Sequence, residues 1–257
     1  MTPPPARAAT ASGLAALATL ALLTAAACTA GGAGSARTAP SDGPGTKASA
    51  DPGPALTVAQ AEAALITDED LGAAWAPTQG AASWRDGLLK AQAGTPACQR
   101  LLDALYADEV LGPPTGSYAI AGFDDGDDSA QLRYQVLAHR PADVDRSLAW
   151  LKTLPRTCSR FTAATTRAGT QSVEVADLPL PAVGDARQGL RVTLTGMSAY
   201  GDPTVLTLDV AAVRVGDDAI TLSDGALGNV PEDATVQAVK AGSQRLADVR
   251  HQARLQA

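Results

Sequence analysis

Between residues 130 and 139 the chain alternates. Ala130, Leu132, Tyr134, Val136 and Ala138 are separated by Gln131, Arg133, Gln135 and His139. Period two with polar partners is the signature of an antiparallel strand with one face on a core. A second strand-like stretch, residues 116–123, lies just before it, across the acidic turn Asp124-Asp125-Gly126-Asp127-Asp128. The pair reads as a hairpin. The same signature returns downstream, in Leu190, Val192 and Leu194 and again in Leu206, Leu208 and Val210. A further pair runs from Phe161 to Val173 and Val175 around Arg167-Ala168-Gly169, and the turn at residues 215–219 leads into Ile220. Strands joined in order by short turns make an antiparallel sheet.

Helical signals sit outside this meander. Thr57 with Gln60 forms a capping-box pattern, and Thr67 precedes Asp68, Glu69 and Asp70. Thr95-Pro96 opens a helix whose Cys98, Leu101, Leu102 and Leu105 share one stripe. Pro141 starts another, carrying Val144, Leu148, Leu151 and Leu154 and stopped by Pro155. Pro231 to Asp233 begins the last, with Val236, Val239, Leu246 and Val249 inward and Gly242 allowing close approach to the sheet. Residues 76–93 read as an irregular connection anchored by Trp84. The expected fold is α+β: an antiparallel sheet of about six strands, helices packed mainly on one face, and one disulfide.

The amino-terminal end is not part of that fold. Residues 14–28, LAALATLALLTAAAC, follow Arg7 and form an uncharged apolar run with small residues at its close. These are the parts of an export signal, too short to span a bilayer core of about 30 Å. Ala25-Ala26-Ala27-Cys28 looks like a bacterial lipobox, and it is also an acceptable site for the general signal peptidase. The chain has three cysteines, Cys28, Cys98 and Cys158. Lipidation of Cys28 leaves an even pair, which an oxidising compartment joins as Cys98–Cys158. The expected organisation is a signal over residues 1–27, a Gly/Ala/Ser/Pro tether over 28–55 and one domain over 56–257. The tether has no large apolar residue and a random-coil reach of about 25–30 Å. The expected place is the outer face of the cell membrane, held by the lipid on Cys28.

Chemistry is sparse. There is no GxSxG elbow, SxxK, P-loop or GxGxxG, and the histidines are His139 and His251 alone. His139, at a strand end, is expected to be exposed or hydrogen-bonded rather than a general base. The acidic run at residues 124–128 lacks the distal glutamate of a calcium loop and reads as a solvated turn, as does Asp217-Asp218. A formal net charge of −7 excludes a nucleic-acid surface. No enzyme activity, cofactor or metal is expected.

Several pieces together resemble the extracellular sensor domain of mycobacterial PknH-type serine/threonine kinases and related actinobacterial lipoproteins. They are CQRLLDAL, AQLRYQVLAHR, LPRTCSRF, DLPLPAVGDARQGLRVTL and DDAITLSDGALGNV with the helix that follows, across residues 56–250. The resemblance implies an exported, non-catalytic module with an antiparallel sheet, helices and a ligand cleft. The expected function is therefore a lipid-anchored extracytoplasmic binding or sensor-like module with an unidentified small ligand. The alternatives are an accessory lipoprotein docking to another envelope protein and, third, a cell-wall hydrolase.

Overall fold

The structure, a computed structural model, describes residues 55–126, 129–198, 200–231 and 233–256. The signal, Cys28 and the tether up to residue 54 lie outside the described residues.

Among the described residues nine strands form one antiparallel sheet: β1 (Trp75–Pro77), β2 (Ala91–Ala93), β3 (Tyr118–Asp125), β4 (Ala130–Ala138), β5 (Arg160–Thr165), β6 (Gly169–Asp177), β7 (Ala186–Met197), β8 (Pro203–Val215) and β9 (Asp218–Leu227). Their spatial order is β1-β3-β4-β9-β8-β7-β6-β5-β2. The expected hairpin is β3–β4, in register with Phe123 opposite Leu132. From β5 to β9 the chain is a meander whose last strand pairs back onto β4. The sheet is therefore larger than the six strands expected. The main addition is β1 and β2, three-residue strands that occupy the two edges. Short edges limit unwanted pairing, and β1 ends on Pro77, which cannot donate to a ladder.

Helices cover both faces, which corrects the expectation that they lie mainly on one. On β8, Leu206, Leu208, Val210 and Ala212 join one core while Ala211 and Val213 join another. A strand buried on both sides has helices on both sides. The first core takes α2 (Pro96–Ala107) and α3 (Pro141–Thr157) through Leu101, Leu102, Leu105, Val144, Leu148, Leu151 and Leu154. Helix α3 runs two residues past the stop expected at Pro155. The second core takes α1 (Val58–Ala63) and α4 (Ala234–Gln256). The capping box of α1 is formed, Thr57 Oγ1 accepting from Gln60 N–H and Gln60 Oε1 from Thr57 N–H. Asp68–Asp70 closes as a single 3₁₀ turn, and Arg245 of α4 lies 2.8 Å from the Asp70 carboxylate. Burial of Asp70 acts against that pairing, yet hydrogen bonds from Thr67 and Arg245 hold its pKa below the ordinary value.

Cys98 on α2 and Cys158 at the end of α3 are bonded, with their Cα atoms 5.6 Å apart. The bridge fastens the two helices of the first face to each other at the ends that leave and enter the sheet.

Candidate ligand cleft

At one end of the sheet the β5–β6 and β7–β8 turns stand beside a helical segment that precedes β2. The β5–β6 turn is fixed by Thr165, whose Oγ1 accepts from Ala168 N–H at 2.8 Å, and by Gly169 at φ +68°. That conformation costs glycine little. The turn presents Arg167 outward and tucks Ala168 inward. In the β7–β8 turn, Ser198 Oγ accepts from the N–H groups of Tyr200 and Asp202 at 3.1 and 3.2 Å. Tyr200, at the tip, is 94% exposed.

The third wall is Trp84 with the π-helical turn Arg85–Leu89. Arg85 pins it, donating to the Tyr106 carbonyl and lying 2.9 Å from the Asp108 carboxylate at the end of α2. Trp84 is only 6% exposed because its ring occupies the space over Gly225 of β9. A Cβ on Gly225 would stand 2.7 Å from the indole and 2.5 Å from Leu208.

Between these walls lies a cleft of about 380 Å³, lined by Trp84, Leu88, Ala168, Tyr200 and Leu227 with Ser83, Ser198, Thr204 and Arg167 among the polar groups. Arg167 is its only charged side chain among the described residues. Leu227 is half exposed, and Met197, Tyr200 and Val205 are further exposed apolar side chains at this end of the sheet. Gln171 lies under the same end of the first face. Its side chain crosses Gly196, whose cross-strand partner Thr204 lines the cleft. Gln171 is 1% exposed, and neither atom of its amide has a hydrogen-bond partner among the described residues.

The residues singled out from the sequence fall elsewhere. His139 is buried, at 6% exposure, and neither ring nitrogen has a hydrogen-bond partner among the described residues, contrary to the exposed or bonded histidine expected. Burial lowers its pKa from the ordinary histidine value, with the nearby Asp143 acting against that shift. The geometry of a His139-based triad is not formed among the described residues. His251 is exposed on α4.

Asp124 is spent on structure: its carboxylate accepts from Thr78 Oγ1, Gln79 N–H and Gln131 Nε2, which holds residues 78–80 over the hairpin. Asp125, the next residue of β3, points to the opposite face, and Asp127 and Asp128 lie outside the described residues. Asp218 lies 2.9 Å from Arg250 of α4. Among the described residues no cluster of His, Cys, Asp and Glu is arranged to hold a metal ion.

One group escaped the sequence reading. Asp224 of β9 is fully buried beneath α4, with Oδ2 accepting from Thr235 Oγ1 and Oδ1 without a partner among the described residues. Burial, then the neighbouring Asp209, pushes its pKa up to about 8. Asp209 itself receives Arg191 bidentately, at 2.7 and 2.6 Å. The inward parity of these aspartates on their strands was the available signal.

No family model matches the chain, and no curated protein matches it. Among solved structures it is similar to the extracellular domain of PknH from Mycobacterium tuberculosis. The identity is 16% over 77% of this chain and 98% of that one, with a TM-score of 0.44. It is also similar to an uncharacterized protein from Mycobacterium smegmatis, 16% identical over the same shares, with a TM-score of 0.37. The resemblance to the PknH-type sensor domain thus recurs in the comparison of structures. At these scores it carries no functional argument, and the cleft is read from its own residues.

Proposed function

We propose that the protein is a non-catalytic binding module of the cell envelope, exported, anchored by a lipid on Cys28, and holding a small apolar ligand in the cleft under Trp84. The observation that carries this reading is the cleft. It is a concavity of ligand size, walled by aromatic and aliphatic side chains and edged by few polar groups, which is the usual composition of a small-molecule site. A leader ending in AAAC supports the address, and an even pair of bridged cysteines suits an oxidising compartment. Intact mass of protein extracted from the membrane tests the anchor: a diacylated chain beginning at Cys28 is expected, and an unmodified soluble chain contradicts it. Native mass spectrometry of the same material tests the cleft. A small-molecule adduct is expected on the wild type and not on Leu227→Asp, which places a charge among the apolar walls. Equal spectra from the two proteins contradict the site.

A further inference from the structure

We infer that the ligand of this cleft is an anionic amphiphile, an apolar chain or flat ring carrying one carboxylate or phosphate, with the acid group received by Arg167. The inference rests on the cleft reading above and adds the charge and polarity of the ligand. Its ground is charge complementarity. The protein is acidic overall, with a formal net charge of −7, yet among the described residues the lining of the cleft contains no carboxylate and one cation.

Most arginines of the described residues are committed. Arg85, Arg133, Arg140, Arg146, Arg160, Arg191, Arg214, Arg245 and Arg250 form ion pairs, and Arg100 stacks on Trp150 at 4.0 Å. Arg167 makes neither an ion pair nor a side-chain hydrogen bond among the described residues. Its position is set by a turn that Thr165 and Gly169 hold in one shape, so the guanidinium is presented at the rim and not on a wandering loop. A planar guanidinium offers paired donors to a carboxylate or phosphate. Beside it, Leu227 and Tyr200 offer exposed apolar surface above the buried Trp84 and Leu88, and among the described residues no carboxylate of the lining competes for the cation. A ligand with an acid group at one end and hydrocarbon at the other satisfies both halves at once. A neutral hydrocarbon satisfies only the walls, and an inorganic anion only the rim.

The test is a titration of the ¹⁵N-labelled full chain, following the indole N–H signal of Trp84, with decanoate, decan-1-ol and acetate as probes. Decanoate is expected to move that signal saturably. Binding is expected to be at least about tenfold weaker for decanol, for acetate, and for decanoate with Arg167→Gln, corresponding to about 1.4 kcal/mol. Arg167→Gln changes an exposed turn residue, and an unchanged melting temperature confirms that its fold is intact. If decanol matches decanoate, or Arg167→Gln binds as wild type, the Arg167 assignment is overturned while the apolar cleft stands. If no probe moves the Trp84 signal, the cleft reading itself fails. If phosphatidylglycerol vesicles move it and monomeric decanoate does not, this end of the sheet is a membrane-docking surface and the small-ligand inference is overturned.

Discussion

Gly242 of α4 lies directly against the ring of Tyr134 on β4: a Cβ at position 242 would stand 2.2 Å from Tyr134 Oη and 2.7 Å from two ring carbons. This contact sets how closely the longest helix approaches the second face of the sheet. Gly242→Ala is therefore expected to destabilise the domain by about 1–3 kcal/mol through overpacking, despite alanine's better helix propensity. Tyr134→Phe in the same background is expected to recover part of the loss, because it removes the nearest atom and leaves the ring. Denaturant melts of the two variants and the double variant check this. Equal stability of Gly242→Ala and wild type would show that α4 rides higher than described.

The bridge between Cys98 and Cys158 closes a loop with a sequence separation of 60 residues. In the chain-entropy picture a loop of that length contributes roughly 4 kcal/mol. Reduction, or the double substitution Cys98→Ala with Cys158→Ala, is expected to lower the unfolding free energy by about that amount. The denaturation midpoint with and without reductant measures it.

Asp224 gives the protein an alkaline weakness. An unfolded aspartate titrates near 3.9, whereas burial raises this one to about 8 in the fold. Between those values the folded state holds a proton that the unfolded state has released, so stability falls as pH rises and levels off above the folded pKa. From about pH 7 to 9 a loss of roughly 1 kcal/mol is expected, and Asp224→Asn should flatten that dependence. This window lies above the range in which His139 titrates. His139 acts in the opposite sense: its lowered pKa costs stability as pH falls below the ordinary histidine value.

Gln171 is buried with both ends of its amide unpaired among the described residues. An unpaired buried amide costs about 1–3 kcal/mol relative to an apolar group of similar shape. Gln171→Met is accordingly expected to be neutral or more stable, with the fold unchanged. A marked loss of stability would show that the amide is hydrogen-bonded after all.

Much of the architecture was legible because it is written in local periods. The stripe of Cys98, Leu101, Leu102 and Leu105 on α2, the β3–β4 hairpin, the meander strands and the role of Gly242 all follow from spacing and appear as expected. That helices cover both faces was not legible, for a physical reason. Gln131, Gln135 and His139 read as the wet side of β4, yet they are buried on the side of the sheet that carries the first core. Gln131 is satisfied there by Thr78, Gly80 and Asp124, and Gln135 by Thr221. Polar side chains that find partners across long sequence separations look exposed to any local reading. The edge strands β1 and β2 are too short for a period to register. The cleft joins Ser83, Trp84, Gly87 and Leu88 to Arg167 and Ala168, to Ser198, Tyr200 and Thr204, and to Leu227. Of these, only Trp84 and the turn at Arg167 had a signal of their own, and neither pointed to the other.

The most direct measurement is a crystal structure of the protein with a terminally brominated decanoate. Bromine anomalous signal is expected between Trp84 and Leu227, with the carboxylate on the guanidinium of Arg167. Signal elsewhere on the molecule, or an undisturbed cleft at saturating ligand, would contradict a binding site built under Trp84.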